Sequence, residues 1–365
     1  RRGFSDMERV EGRRRVRHRV KFRTPVYMTE TAFYVQCLTT KQGLFGSKTM
    51  LPYRIRASDL VSQETLNDIS ITLNRRVTAR WEPGKGLWFI IHRTTDMSGL
   101  PKLVGFREML QFFRQGRAEL CLGVGDNRAV HMCDLADVPH ALIAGETGGG
   151  KSNTLNGMIS YLIRFNQPRD LKLILIDLKN GTELLDYEDV PHLAIPIVTD
   201  NSRAAIALQQ ALALIKWRYS RMARLRPRPR NLDQYNQKMP AEHRWPRLVI
   251  VIDELAELLL GKGREDIEHL MIRICQLGRA AGVHMIAATQ RPQKEIVNTA
   301  ISANMQLKLA HKMSRAADSL TILGTGHAAE LDDVPGRACY KKSWQVHAVQ
   351  PPLIRPENVD RKSVV

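Results

Sequence analysis

Cysteine is scarce in this chain. The five cysteines in 365 residues, Cys37, Cys121, Cys133, Cys275 and Cys339, include no CxxC pair and are odd in number. That excludes a disulfide framework and a cysteine-based zinc site, and it suits reduced thiols in the cytoplasm. No apolar run approaches the roughly 18 residues that span a bilayer, and no signal-peptide pattern is present. Repeats and low-complexity tracts are absent apart from Arg226-Pro227-Arg228-Pro229-Arg230, a run that cannot form helix and should be an exposed loop. Acidic residues are also short: 37 Asp and Glu face 55 Lys and Arg, a net charge of +18. Such an excess predicts a polyanionic partner, either nucleic acid or an anionic membrane surface. Hydrophobic content of 43% is ordinary for a globular protein, and the length allows more than one domain.

Against these absences stands one complete motif, Gly145-Glu146-Thr147-Gly148-Gly149-Gly150-Lys151-Ser152, a phosphate-binding loop (P-loop) of the form G-x-x-x-x-G-K-S. Its context fits. His140–Ala144 reads as a short apolar strand before it, and Asn153–Arg164 reads as a helix after it. Glycines let backbone N–H groups wrap a β-phosphate, and the helix N-terminus adds partial positive charge. ATP is therefore the expected ligand, held by Gly145 to Asn153, with Lys151 on the β/γ-phosphates and Ser152 on Mg²⁺. His140 itself reads as a packed histidine, since no Cys or His partner lies near it in sequence.

A second constellation is Leu248–Ile252 followed by Asp253-Glu254. A buried strand ending in Asp-Glu suits a P-loop ATPase: Asp253 would hold Mg²⁺ and Glu254 would polarise water as general base. A third, Ala287-Ala288-Thr289-Gln290-Arg291-Pro292, ends the next strand and offers Gln290 as a γ-phosphate sensor. Arg279, at a helix-to-strand corner, suits either a finger reaching a neighbouring subunit's nucleotide or a surface ion pair. Asp177 and Lys179 end the Leu171–Ile176 strand and are candidates for a supporting role. The helix expected over Ala204–Leu225 carries Arg203, Lys216, Arg218, Arg221 and Arg224, read mainly as a solvated face.

Organisation follows from periodicity. Residues 9–23 (RVEGRRRVRHRVKFR) are densely basic and suit a cytoplasmic segment inside a membrane anchor, or an arm that touches nucleic acid. Between residues 31 and 115 strand-like stretches (Tyr53–Arg56, Gly86–Arg93) flank a helix-like one (Ser62–Leu73), with a turn at Pro83–Gly86. Beyond that, the near-continuous apolar runs Ala141–Ala144, Leu171–Ile176, Leu248–Ile252, Val283–Ala288 and Gln306–Ala310 alternate with helices. This predicts an α/β fold with a mostly parallel sheet and the nucleotide at the strand carboxyl ends.

The strings HALIAGETGGGKSNTLNGMI, LILIDLKNGTEL, PHLAIPIVTD, NLDQYN, LVIVIDELAEL, GRAAGVHMIAATQRP and SRAADSLTIL, in this order, resemble the motor domain of the FtsK/SpoIIIE DNA translocases over roughly residues 115–350. The resemblance implies a RecA-like P-loop unit at 116–352, a smaller α/β accessory domain at 31–115, a basic arm at 1–30 and a tail at 353–365. It implies a homo-oligomer, a hexameric ring threading double-stranded DNA, with Arg279 as the trans-acting finger. The basic residue after the sensing Gln, here Arg291, would grip DNA. In a second pore loop the family lysine aligns with Ala316, so that contact falls to the neighbouring Arg315, with Lys294 and Lys312 as supplements. The chain ends soon after its last strand candidate, Gln345–Gln350, without the winged-helix module of the family's cell-division members. Together with the basic segment, this turns the expectation toward pumps of mobile elements, at the inner face of the plasma membrane with channel or relaxosome proteins as partners. A related ATPase of a protein-secretion machine and a non-translocating nucleic-acid-binding scaffold with a degenerate ATPase are the alternatives. The intact Lys151, Asp253 and Glu254 disfavour the scaffold.

Overall fold

The computed structural model describes residues 7–11, 14–22, 27–28, 32–43, 46–50, 66, 77–82, 86–92 and 100–355, the last range without 180, 261–262 and 343–344. The chain divides into two units, Arg1–Gly99 and Leu100–Val365. The first contains strands β1 (Met7–Glu11), β2 (Arg14–Phe22), β3 (Tyr27–Met28), β4 (Ala32–Gly43), β5 (Gly46–Met50), β6 (Val77–Glu82) and β7 (Gly86–His92). They form a sheet in the order β1-β2-β4-β7-β6, with β3 and β5 also paired to β4. Every described pairing in it is antiparallel.

One expectation changes in this unit. The basic segment 9–23, expected as an arm, contributes to β1 and β2 instead. Its sequence alternates Arg15, Arg17, Arg19 and Lys21 with Val16, His18, Val20 and Phe22, the period of a strand, which the density of charge concealed. The strand expected at Gly86–Arg93 is β7, Leu66 within the expected helix Ser62–Leu73 is helical, and the rest of that helix and the strand expected at Tyr53–Arg56 lie outside the described residues. Residues 1–99 hold 19 Lys and Arg against 9 Asp and Glu, a balance of +10, so more than half of the excess charge lies outside the unit that carries the P-loop.

The second unit opens with the short helix α1 (Phe106–Met109) and a hairpin of β8 (Glu119–Val124) and β9 (Val130–Asp134). Then come β10 (His140–Ala144), α2 (Lys151–Phe165), β11 (Leu171–Ile176), α3 (Asn201–Arg224), α4 (Leu232–Lys238) and β12 (Arg247–Ile252). After these follow α5 (Leu255–Leu259), α6 (Arg264–Ala281), β13 (Val283–Thr289), α7 (Thr299–Asn304), β14 (Leu307–His311), α8 (Ala316–Leu323), β15 (Ala338–Lys342) and β16 (Gln345–Val349). The main sheet runs β11-β12-β13-β10-β14-β15-β16. Its first five strands are parallel, and β15 and β16 close it antiparallel. The five apolar runs read from the sequence are those five parallel strands, their ends shifted by a residue at most.

Period-two alternation sorts the strands onto two cores. Leu142, Ala144, Ile174, Ile176, Ile250 and Ile252 face the helices α3, α5, α6, α7 and α8. Ala141, Ile143, Leu173, Leu175, Val249 and Val251 face α2. Both faces are covered, which is why the strands read as continuous rather than alternating apolar runs. Helix α3 starts where Asp200 caps it, accepting from the Arg203 N–H at 2.9 Å. Its buried stripe is Ala204, Ala207, Leu208, Ala211, Ile215, Arg218 and Met222. Arg218, expected among the solvated basic residues, is buried instead and donates to the carbonyls of Ala281 (2.6 Å) and Pro246 (2.7 Å).

The boundary expected at 115/116 falls between Gly99 and Leu100 because Val104, Phe106, Met109 and Phe113 form a further cluster with Cys121, Val124, Tyr161 and Phe165 of the second unit. Phe106 and Phe113 both stack on Tyr161 of α2 with centroids 4.2 Å away, and Tyr161 donates to the Phe106 carbonyl. The expected tail is also docked at its start. Leu353 N–H donates to the Val104 carbonyl, and Ile354 N–H donates to Asn153 Oδ1.

Four histidines are buried in this unit, His140, His192, His284 and His311, and burial lowers the pKa of His192 as it does those of the others. Burial lowers His140 and His311 from 6.5 to about 4, and burial reinforced by nearby Arg247 lowers His284 well below 6.5. His140 accepts the Met285 N–H through Nδ1 at 3.1 Å, as a neutral, packed imidazole does. Because the folded state resists protonating them, their contribution to stability is full above 6.5 and is lost as pH falls from 6.5 toward 4. The midpoint of thermal unfolding should therefore be level near neutral pH and decline steadily below about pH 6.5. A midpoint that holds or rises down to about pH 4.5 contradicts this reading.

Candidate active site

Five strands end on one side of the sheet, and each delivers part of the site. β10 leads into the P-loop, where Gly148 (φ 79°) and Gly150 (φ 107°) adopt left-handed backbone that other residues rarely accept. At Gly150 a Cβ would also lie 2.7 Å from Gly336 Cα, so the loop has no room for a side chain there. Beneath the loop sits His311, fully buried, against which a Cβ at Gly145 would come to 2.9 Å. Ser152 follows Lys151 in the first turn of α2.

β12 delivers the two carboxylates. Lys151 is 2% exposed and Asp253 is 0% exposed; Lys151 Nζ donates to Asp253 Oδ1 at 2.7 Å and to the Asp253 carbonyl at 2.8 Å. Asp253 Oδ2 accepts no hydrogen bond from the described residues; Lys179 Nζ stands 3.8 Å from it. Lys179 also stands 3.5 Å from Glu254 Oε2 and so faces both carboxylates. It is held there by Asp177, whose buried carboxylate accepts the N–H groups of Lys179 (3.1 Å), Glu183 (2.9 Å) and Leu184 (2.9 Å). Asp177 therefore shapes the turn, and Lys179 is the member of the pair that reaches the site.

Glu254 caps α5, accepting the Ala256 N–H at 3.3 Å. It is further fixed by β13: Thr289 Oγ1 donates to Oε1 at 2.8 Å, and Gln290 N–H donates to Oε1 at 3.1 Å and Oε2 at 3.0 Å. Thr289 Oγ1 in turn accepts the Arg291 N–H at 3.1 Å. One hydroxyl thus joins the carboxylate to the backbone of the exposed Arg291 loop. Thr147 Oγ1 of the P-loop donates to Gln290 Oε1 at 3.2 Å, bringing the candidate sensor against the loop. This proximity requires β13 to lie between β10 and β12, as it does.

Residues 109–294, just over half of the chain, match the FtsK/SpoIIIE family. The chain belongs to that family. It is similar to the DNA translocase FtsK of Campylobacter jejuni, 37% identical over 231 residues that cover 62% of this chain and 24% of the relative. The chain spans about a quarter to a third of the curated relatives it matches, with 24% of the Campylobacter protein and 33% of the Lactococcus lactis FtsK aligned. In fold it is similar to the pCW3 conjugation coupling protein TcpA with ATPγS (TM-score 0.66, 20% identity, 93% of this chain and 92% of that one). It is also similar in fold to the cytoplasmic domain of the Thermomonospora curvata type VII secretion ATPase EccC (TM-score 0.57, 23% identity, 66% and 29%).

The family strings converge unevenly. Lys151, Ser152, Asp253, Glu254 and Gln290 come together at the strand ends. Arg279 does not: it is exposed at the end of α6, its Nε donating to the Ala136 carbonyl at 3.3 Å, at the amino ends of β10 and β13. It stands at the opposite end of the sheet from its own chain's P-loop. The Asn153 side chain turns away from the loop, donating to the Pro352 carbonyl (2.8 Å) and accepting from Ile354. Glu146 likewise points aside, to Ser314. Arg291 and Lys294 are exposed. Arg315 is held bidentately by Asp318 at 2.8 and 2.9 Å, and Lys312 pairs with Asp333 at 3.0 Å.

Thr289 and His311 were not singled out from the sequence. Thr289 lies inside the quoted AATQRP string, and a hydroxyl ending a buried strand beside Gln290 was the available signal. His311 carried none, because its role depends on β14 lying beside β10. Thr289→Val keeps the shape but takes the hydroxyl donor from Glu254 and the Oγ1 acceptor from the Arg291 N–H. It should lower stability by about 1–2 kcal/mol in denaturant unfolding, with Thr289→Ser close to wild type. An unchanged midpoint in Thr289→Val would show that the hydroxyl does not hold this junction.

Proposed function

We propose that this chain is the motor of a DNA translocase, an Mg²⁺-dependent ATPase that threads double-stranded DNA through the pore of a homo-oligomeric ring, hexameric as in the family it resembles. One observation carries the proposal. Within a chain of the FtsK/SpoIIIE family, the P-loop, the Asp253-Glu254 pair and the loop bearing Arg291 are joined by direct hydrogen bonds. The curated relatives at 37% identity are DNA translocases.

The residues fit a nucleotide with its metal. The left-handed glycines open a backbone cradle before α2, and Asp253 Oδ2 is a buried oxygen with no hydrogen-bond donor among the described residues, suited to a cation or its water. Ser152 and Asp253 would hold Mg²⁺, which when bound draws charge from the phosphate oxygens. Lys151 would leave its contact with Asp253 to meet the β/γ-phosphates, and Lys179 would keep Asp253 and Glu254 company as it does so. Glu254, oriented by Thr289, Gln290 and Ala256, would take the proton of the attacking water; general-base removal costs about 10²–10⁴ in rate. Gln290, touching Thr147, would sense the γ-phosphate. Arg279 cannot serve its own chain's site from the far end of the sheet, and in a ring it would act on a neighbour's nucleotide, a contribution of roughly 10³–10⁵.

DNA grip falls first to Arg291 and Lys294, which are exposed. Arg315 would join by sharing Asp318, since its own side chain stays two-thirds exposed (66%) while the Asp318 carboxylate is buried. Contacts of this kind address phosphates and leave base edges unread, as movement along any sequence requires. The setting we propose is conjugative or mobile-element DNA transfer at the inner face of the plasma membrane, with channel or relaxosome proteins as partners. The likeness of fold to a conjugation coupling protein supports it. Among the described residues no helix is long and apolar enough to cross a membrane.

Steady-state ATP hydrolysis with and without long linear double-stranded DNA tests the proposal. Stimulation by DNA that fades with rising salt and vanishes in Glu254→Ala and Arg291→Ala is expected. Hydrolysis indifferent to DNA would reject DNA as the substrate and favour a polypeptide, as for a secretion ATPase.

A further inference from the structure

The strand order sets the P-loop strand β10 between β13 and β14, and consecutive residues of the loop reach in opposite directions. Thr147 donates to Gln290 on the β13 side at 3.2 Å. Glu146 reaches the β14 side, where its Oε1 accepts both the backbone N–H of Ser314 at 2.8 Å and the Ser314 hydroxyl at 2.6 Å. Ser314 immediately precedes Arg315, which caps the start of α8 and is held by Asp318. The P-loop is thereby bonded to both loops that carry candidate DNA contacts.

We propose that Glu146 is a positioning residue that ties the Ser314-Arg315 loop to the nucleotide, so that nucleotide occupancy sets where Arg315 stands. The proposal deepens the translocase reading and rests on it for the role of Arg315. Its chemistry follows from charge. A nucleotide brings a polyphosphate into the loop that carries the Glu146 carboxylate, and like charges repel. Turning the carboxylate outward onto two Ser314 donors relieves that repulsion, and a hydrogen bond to a charged acceptor is about twice as strong as a neutral one. With nucleotide bound the tether tightens; with nucleotide gone the carboxylate is free to turn inward and the loop loosens. Coupling on the Gln290 side passes through a neutral hydroxyl–amide contact, so the two loops would respond differently to the same event.

Two readouts test this on the full chain. The first needs no DNA. Hydrogen exchange of the Ser314 amide, the donor itself, should slow several-fold when a non-hydrolysable ATP analogue saturates the wild type. In Glu146→Ala that amide should exchange about tenfold faster than wild type, with no response to nucleotide. Glu146→Gln, which keeps an acceptor oxygen but not the charge, should restore much of the protection and little of the nucleotide response. The second readout is the ratio of DNA affinities with and without saturating analogue, which should move toward one in Glu146→Ala. Ser314 exchange that is the same in wild type and Glu146→Ala overturns the proposal. Exchange that responds as described in a protein that binds no DNA leaves the tether standing and overturns the translocase reading instead. An intact exchange response with an unchanged affinity ratio in Glu146→Ala overturns the claim that the tether governs the DNA contact.

Discussion

A lysine and an aspartate almost wholly shielded from water can be tolerated only where the fold brings their charges together, because an unpaired buried charge costs several kcal/mol. Lys151 and Asp253 meet this condition at 2.7 Å, although they follow strands, β10 and β12, that are not neighbours. The order β12-β13-β10 makes the meeting possible by placing the end of β13 between them. Most other features of the site answer to that arrangement. Asp177 folds the turn that sends Lys179 toward Asp253 and Glu254, Thr289 fills the gap between the carboxylate and the outer loop, and Gly150 admits Gly336 against the loop where any side chain would collide.

The same geometry suggests how chemistry and movement could share one frame. Glu254 is held through Thr289 and the Gln290 amide, and those residues continue into the exposed Arg291. A shift of the carboxylate would be carried along a strand end of three consecutive residues rather than through a flexible linker. On the other side, Glu146 provides a second route to Ser314 and Arg315. Two routes leaving adjacent residues of one loop offer the nucleotide a grip on both sides of β10. Arg279, at the far end of the sheet, takes no part in these contacts of its own chain's site.

Much of this was legible in the sequence. Five parallel strands were readable because both faces of the sheet are covered, so their apolar runs are unbroken. The P-loop and Asp253-Glu254 were readable because phosphate and metal chemistry restricts residue type at fixed spacing. What escaped was set by tertiary neighbours. Arg218 shares a helix with exposed arginines and is buried because its guanidinium finds two carbonyl oxygens across the core. Asn153 and Glu146, read as nucleotide contacts from their place in the motif, spend their side chains on a C-terminal segment and on the loop after β14, partners distant in sequence. The basic N-terminal segment was misread as an arm because charge density outweighed its period-two alternation.

Displacement of a triplex-forming strand annealed to long duplex DNA is the most direct measure of whether the Lys151–Asp253–Glu254 centre drives movement along DNA. With ATP and Mg²⁺ the wild type should strip the third strand, while Glu254→Gln bound to ATP on the same duplex should not. A protein whose ATP hydrolysis is stimulated by duplex DNA but which leaves the third strand in place would contradict translocation.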